Sequence, residues 1–417
     1  MKHDSDQLPR PLEGVVILDL TTALAGPYAT LLLAGLGARV IKVENPTSPD
    51  SARTNSPYLG RDGIKVAKEH DDDLSLAMLE RGRNKEAVTL NMKHPQGRAI
   101  FFDLVAKADV VVENFSAGVA DRLGIGYLAC AAINPKIVFT SISGFGANVN
   151  PRQNKAMDNI VQAMSGMMMA SGNEGEPPVR VGVPFGDLTA PLFATIGTLA
   201  AIMQARVTGI GQHVDVSLLG ALSALVAAEP FDMMVKLGRE TRSGNFMARL
   251  APFGVFPTKD GYISICAPKD EFVVGLFAAM GQPGLRDDER FAGRDARVRN
   301  HIVLHDMVSQ WSRTLTTAEA ADRLTDCNVP NGPVRNPAEA MRDPNLLMRG
   351  ETTKLEHPIY GAVEDIVVGG LPIRMSGSFT GFDKPAVTLG ASNAGIYGEL
   401  LGYSAEQLAA LKSDGAI

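Results

Sequence analysis

Val15 to Leu20 reads VVILDL, a short β-branched run, and the chain beyond it repeats a simple alternation. Gly26-Pro27 comes next, then the small-residue apolar stretch Tyr28 to Leu36, closed by Gly37, and then Arg39 to Val43 as a second β-branched run. Strand, helix and strand with short joints form a βαβ unit, whose crossover is right-handed and whose strands are parallel. The pattern returns downstream. Pro95 opens a helix through Lys107, where its missing N–H costs nothing, and Asp109 to Val112 and Lys136 to Ser141 read as further strands. Runs this uniformly apolar belong to strands buried on both faces. The expected fold is α/β, with a Rossmann-like parallel-sheet large domain whose N-terminal part spans 1–228.

The rest of the chain changes character. Gly60 to Asp73, with its Asp71-Asp72-Asp73 run, has no useful period and reads as a solvated loop. Leu188 to Met203 is apolar nearly all round, which predicts a buried helix. Gly209 and Gly211 mark a turn before the strand His213 to Ser217. From 229 to 332 there are Gly-rich turns, a hairpin-like stretch near Phe253 to Ile265 and charged helical segments around Arg286 to Arg323. That mixture predicts a smaller α+β domain. Residues 333–417 then serve as a linker and a C-terminal part returning to the large domain. Ser404 and Gln407 form a capping-box signature for a last helix that stops near Gly415.

Composition narrows the function classes. The chain has 417 residues, 45% of them apolar and 21% charged, which is ordinary for a globular protein and ample for a large core. A net charge of −6 argues against nucleic acid as the main partner, because phosphate backbones demand a dominant basic face. Cys130, Cys266 and Cys327 are odd in number and widely spaced, so reduced thiols are expected rather than disulfides or a zinc ribbon. Met1 to Pro11 is polar, without the apolar centre of a signal peptide, and no stretch of about 18 uninterrupted apolar residues appears. A cytoplasmic protein without a membrane span is expected.

Most familiar motifs fail on inspection. Gly35-Leu36-Gly37 lies at the end of a helix, whereas a dinucleotide fingerprint needs its glycines where pyrophosphate meets a helix N-terminus. His301 and His305 have the i, i+4 spacing of a zinc motif, but Ile302 stands where the catalytic Glu should be, so a solvated helix face is expected. No GxSxG elbow or Walker loop occurs. Asp187 follows Val181-Gly182-Val183-Pro184-Phe185-Gly186 and opens the long apolar helix. Two readings fit it. It is a helix N-cap, as Asp commonly is, or it is an ionised, accessible carboxylate able to attack a thioester carbonyl.

At Asp187 the sequence resembles the family III CoA-transferases, the group that contains formyl-CoA transferase and the carnitine CoA-transferases. The segments that carry the likeness are PLEGVVILDLT, AGPYAT (Ala25 to Thr30), GARVIKVENP (Gly37 to Pro46), NKEAVTLNMK (Asn84 to Lys93), ADVVVENF (Ala108 to Phe115), INPKIVFTSISGFG (Ile133 to Gly146), GDLTAP (Gly186 to Pro191) and the tail GELLGYSAEQLAALKSDGAI. The resemblance implies that Asp187 is the catalytic aspartate. It also implies a CoA pocket built from Leu24, Ala25, Leu90, Asn91, Met92, Lys93, Asn114, Phe115, Ser116, Arg122, Lys155, Ala156, Met157 and Asp158. Arg and Lys suit CoA phosphates, although the same cations equally serve as solvated surface charges. CoA thioester then enters as a substrate, with a carboxylic acid acceptor and no tightly bound cofactor or metal. Oxyanion donors are expected near Gly144 to Gly146 or at Gly186. An interlocked homodimer is implied by the family alone.

The sequence also departs from the family. Asn45 stands where formyl-CoA transferase has an Arg, and Leu24 replaces a Gln. Asn245-Phe246-Met247-Ala248-Arg249 lies near the place of that enzyme's glycine-rich loop. These changes speak against formyl or oxalyl specificity. Met157 stands where the racemase branch keeps a His, and Met cannot carry a proton, so the rival reading as a 2-methylacyl-CoA racemase is disfavoured. A second rival is a non-catalytic CoA-binding protein on the same scaffold.

Overall fold

The computed structural model describes residues 8–147, 155–238, 241–247 and 249–417. Met1 to Gln7 of the polar N-terminal stretch and Ala248 of the Asn245–Arg249 segment lie outside the described residues. The chain divides into two compact units, one of 1–165, 181–225 and 341–417, the other of 166–180 and 226–340.

The larger unit is built on a six-stranded sheet. Its strands are β1 (Val16–Asp19), β2 (Arg39–Glu44), β3 (Lys85–Thr89), β4 (Val110–Glu113), β5 (Val138–Ser143) and β6 (His213–Ser217). They lie in the order β3-β2-β1-β4-β5-β6, and every neighbouring pair is parallel. This is the strand order of doubly wound nucleotide-binding folds, with its reversal point between β1 and β4. Helices α1 (Ala25–Gly35), α2 (Pro95–Val105), α3 (Asp158–Met164) and α4 (Phe185–Thr208) supply most of what this unit needs to hold a site. One face of the sheet packs on α2, where Leu18, Ile41, Val88, Phe101, Val111 and Phe139 share a core with Ile396, Tyr397, Leu411 and Ile417 from the end of the chain. On α1 nearly every residue is buried, and the helix packs against α4. The last helix, Ala405–Ser413, carries the capping box of Ser404 and Gln407.

Several sequence expectations need correction. Gly60 to Asp73 is not simply a loop, because Tyr58–Gly60 pairs antiparallel with both Gly63–Lys65 and Leu74–Ser75. Strands so short leave no periodic signal, and the turn is held by Asp73, whose carboxylate accepts the N–H groups of Glu69 and His70. Strand β3 has no counterpart among the expected strands, since KEAVT opens on two charged residues. Helix α4 is not buried all round. Leu192, Phe193, Ile196, Met203 and Val207 are exposed, Ile196 at 64%. By length and composition α4 is apolar enough to cross a membrane, although half of its most apolar stretch is buried inside the fold.

The smaller unit has an antiparallel sheet of Phe253–Pro257, Tyr262–Cys266 and Asn331–Pro333, covered by the helices Asp270–Ala279, His301–Ser312 and Thr317–Asp326. Phe256, Ile263, Phe277, Leu304 and Leu324 form its core. His305, expected on a solvated face, is only 4% exposed and stacks on Phe246 at 4.2 Å between ring centres. Its position follows from helical spacing, because Leu304 and Val308 beside it face the same core.

Candidate active site

The joints after β1, β4, β5 and β6 converge on a cavity of about 240 Å³. Thr22 to Ala25 come from the β1–α1 joint, Asn114 to Ala117 follow β4, Ile142 to Gly146 end β5, and Leu218 follows β6. Ala156 and Met157 precede α3, and Asp187 comes from the first turn of α4. Open α/β sheets bind ligands at this place, outside the carboxyl ends of the strands where strand order reverses. The two joints that flank the reversal are stitched together. Asn114 Oδ1 accepts the Thr22 N–H and its Nδ2 donates to the Thr22 carbonyl, both at 2.8 Å. The next residue is held from below, since the buried Glu113 carboxylate accepts the Phe115 N–H at 2.6 Å. Gly144 has no side chain for a steric reason, as a Cβ there would lie 2.2 Å from that of Ala156.

Asp187 does not cap α4. The helix begins at Phe185, and Asp187 is already in its first turn. Asp158 makes the cap from α3: its Oδ1 accepts the Gly186 N–H at 2.7 Å and lies 3.4 Å from the Asp187 N–H. A Cβ at Gly186 would approach that oxygen to 3.2 Å and Val161 to 3.0 Å, so glycine is what lets Asp158 come this close. Gln162, fully buried, braces the arrangement. Its amide donates to Asp158 Oδ2 at 2.7 Å and to the Val183 carbonyl at 3.1 Å, while its oxygen accepts the Val181 N–H. The carboxylate of Asp187 is thereby left out of the capping, half-buried at the cavity wall. Pro191 has no N–H for the carbonyl four residues back, that of Asp187 itself.

Electrostatics at this carboxylate set it apart from an ordinary aspartate. Burial pushes the Asp187 carboxyl up to about 6, the Asp158 charge adds to the rise, and the Arg81 guanidinium opposes it. At neutral pH it is mainly ionised, yet more basic than an ordinary aspartate. Among the described lining residues it is the only charged side chain, and none is a histidine.

The structure brings together some of the predicted residues and not others. Leu24, Ala25, Asn114, Phe115, Ser116, Ala156, Met157 and Asp187 all line the cavity. Leu90 lies in the core and Met92 packs against it, while Asn91 donates to the Gly415 carbonyl. Asp158 commits one carboxylate oxygen to α4 and the other to the Gln162 amide. Lys93, Arg122 and Lys155 are exposed and outside the lining, with the Arg122 guanidinium beside Gly118. Of the expected oxyanion donors, the Gly186 N–H is taken by Asp158 and the Gly146 N–H by Ser143 Oγ at 2.9 Å. Sequence reading missed Arg81, and it missed the buried charges Asp19, Lys42, Asp50 and Lys85 behind the β1–α1 joint. A lysine inside the apolar strand RVIKVE was the available signal, because such a residue is buried only with partners.

Known proteins match this chain over most of its length. A family model described as CoA-transferase family III covers residues 12–393. Succinyl-CoA--D-citramalate CoA-transferase of Chloroflexus aurantiacus is 32% identical over 98% of this chain and 98% of its own. Acetyl-CoA:oxalate CoA-transferase of Acetobacter aceti is 35% identical over 90% of this chain and 92% of its own. Among solved structures, a CAIB/BAIF family protein from Brucella suis superposes with a TM-score of 0.79 at 30% identity, covering 94% of this chain and 100% of that one.

Proposed function

Because the chain belongs to CoA-transferase family III, and so moves CoA from a CoA thioester to a carboxylic acid, we propose that Asp187 is the group that carries CoA between the two. The observation that supports this reading most is the division of labour at α4. Asp158 does the capping, which leaves the Asp187 carboxylate free at the crevice where a ligand binds.

The steps follow from carboxylate chemistry. An Asp187 oxygen attacks the donor's thioester carbonyl, the C–S bond breaks, and CoA leaves as thiolate from a mixed anhydride. The thiolate attacks the aspartyl carbonyl of that anhydride, which releases the donor acid as its carboxylate and leaves CoA as a thioester on Asp187. The acceptor carboxylate attacks this thioester, forming a second anhydride and thiolate again. Attack of the thiolate on the acceptor's carbonyl yields the new acyl-CoA and restores the Asp187 carboxylate. No net proton is consumed. Phe115 and Leu24 shield the thiolate from water, and Lys93, Arg122 and Lys155 meet the CoA phosphates outside the cavity. The acids named for the two relatives, citramalate and oxalate, are both dicarboxylic, so the acceptor is taken to be a short dicarboxylic acid. Racemisation at the α-carbon needs a second base facing Asp187, and Met157 is not one. The proposal further holds that the enzyme is a homodimer, with the exposed apolar stripe of α4 as part of the interface, and that it works in the cytoplasm.

The test is Asp187→Asn and Asp187→Ala with a panel of acyl-CoA donors and short dicarboxylic acids. Both are expected to abolish transfer while the protein stays folded, because a lost cap interaction costs only about 0.5–2 kcal/mol even where one exists. Incubation of the wild type with donor alone, followed by borohydride, is expected to leave a reduced residue at position 187 by peptide mass spectrometry. Near-normal transfer by a folded Asp187→Asn protein would falsify the assignment.

A further inference from the structure

Beneath the β1–α1 joint lie four charged side chains that contact with water has nearly abandoned: Asp19, Lys42, Asp50 and Lys85 are at most 5% exposed. Removing such groups from water is costly, and replacing buried ion pairs with apolar residues is often neutral or stabilising, so the cluster is a poor device for stability alone. Its hydrogen bonds show another use. Lys42 Nζ pairs with Asp50 Oδ2 at 2.8 Å and donates to the Thr21 carbonyl at 2.8 Å. Asp50 Oδ1 accepts the N–H of Ala23 at 2.8 Å and of Ala52 at 2.9 Å. Asp19 accepts the Thr21 N–H at 2.9 Å, and Lys85 binds Asp19 at the same distance. With Asn114 holding Thr22, the backbone of Thr21, Thr22 and Ala23 is fixed at each residue by a side chain distant in sequence or by Asp19.

This fixation is needed because the joint is strained. Ala23 sits at φ +65°, the left-handed region that costs an L-residue with a Cβ. The joint also folds tightly over α1, where a Cβ at Gly26 would lie 2.3 Å from that of Thr21. Ala23 and the next two residues, Leu24 and Ala25, line the same cavity as Asp187.

We propose that Asp50, held by Lys42, is a positioning residue for CoA transfer: it keeps Ala23 in the left-handed conformation and so sets the part of the cavity wall that Ala23, Leu24 and Ala25 contribute beside Asp187. The proposal rests on Asp187 being the group that carries CoA. It predicts a split between two substitutions that share the loss of the ion pair. Asp50→Asn keeps an oxygen for the Ala23 N–H, whereas Asp50→Ala does not. Both remove the carboxylate charge of Asp50 from beside Lys42, which Asp19 and Glu44 still face. Because Asn also keeps the Ala52 N–H bond, unequal stability alone does not decide the role, and kcat in folded protein with the Ala23→Gly background does.

The experiment measures kcat and acyl-CoA KM for both variants, each also in an Ala23→Gly background, with amide exchange of the 19–28 segment. In folded protein Asp50→Ala is expected to lose kcat by roughly tenfold or more, with KM changed far less, since small misplacements at a reacting centre carry large penalties. Asp50→Asn should retain most of kcat, and Ala23→Gly, which removes the left-handed strain, should recover roughly fivefold of the Asp50→Ala loss. Exchange in the 19–28 segment should rise in Asp50→Ala only. If Asp50→Ala does not fold, the Lys42→Met/Asp50→Ala double variant, which buries no lone charge, takes its place with the same expectations. Equal losses in the Asn and Ala variants with no recovery by glycine, or wild-type kcat in Asp50→Ala, would overturn the proposal. The two readings fail separately: near-normal transfer by folded Asp187→Asn would count against Asp187 as the carrier, whereas unchanged exchange of the 19–28 segment in Asp50→Ala would count against this proposal.

Discussion

Asp158 and Asp187 are two aspartates at one helix end with opposite fates. Asp158 gives its oxygens to the Gly186 N–H and the Gln162 amide, and so remains a capping carboxylate. Among the described residues the Asp187 carboxylate has no such donors, and burial together with the Asp158 charge lifts it to about 6. A nucleophile must be ionised, so activity carried by Asp187 should fall as pH drops through about 6. The charge on Asp158 is one cause of that value, and removing it lets the Asp187 pKa fall. Asp158→Asn keeps an oxygen for the cap and is expected to shift the acid limb of kcat/KM to lower pH. Asp158→Ala should shift it likewise and also destabilise the protein by about 0.5–2 kcal/mol through the lost cap. pH–rate profiles of the three proteins decide this, and an acid limb that stays put or moves upward in Asp158→Asn would rule out the charge coupling.

The strand and helix pattern on which the site stands is legible in the sequence where elements are uniformly apolar. β1, α1, β2, α2, β4, β5 and β6 all fall within a few residues of the segments read as VVILDL, Tyr28–Leu36, Arg39–Val43, Pro95–Lys107, Asp109–Val112, Lys136–Ser141 and His213–Ser217. The elements that escape such a reading are set by contacts distant along the chain. β3 opens with Lys85, whose burial depends on Asp19 66 residues away. Asp187 reads as an N-cap because the rule for caps is local, whereas the true cap comes from a residue 28 positions earlier than Gly186. Helix α4 is misjudged because an apolar surface reads the same whether the protein's own core or another surface covers it. Leu192, Ile196, Met203 and Val207 recur at spacings of 4, 7 and 4 and form one exposed stripe. Contiguous exposed apolar surface of this kind marks an interaction face. The protein is therefore expected to sediment as a dimer, and Ile196→Lys to shift it towards monomer without loss of helix content. Sedimentation velocity checks this, and an unchanged dimer in Ile196→Lys would take the stripe out of the interface.

At the scale of the whole molecule, Glu113 in the larger unit and His305 in the smaller one are buried titratable groups of opposite sign. In the larger unit, burial pushes the Glu113 carboxyl up to about 7, with the Ser141 hydroxyl and the Phe115 N–H partly opposing it. The folded state then binds a proton that the unfolded chain releases near its ordinary value of 4.5, so stability falls as pH rises from about 4.5 to 7. Asp187 in the same unit has the same sign. In the smaller unit, burial pushes the His305 imidazole down to about 4, with His301 adding to the fall. Here the unfolded chain binds the proton first, at about 6.5, and stability is lost as pH falls from there towards 4. Between pH 7 and pH 5 each of Glu113 and His305 accounts for about 2 kcal/mol, in opposite directions. A single global measurement mixes these two opposed terms with those of other groups. Amide exchange corrected for its intrinsic pH dependence does not, because it reads the units separately. On going from pH 7 to pH 5, segments of β4 and β5 are expected to gain protection, while Phe253–Pro257 and His301–Ser312 lose it. His305→Gln, which cannot take up the proton, should abolish the loss in the smaller unit and leave the gain in the larger one. If both units move together, or if His305→Gln leaves the smaller unit as acid-sensitive as before, the imidazole is not what the smaller unit feels.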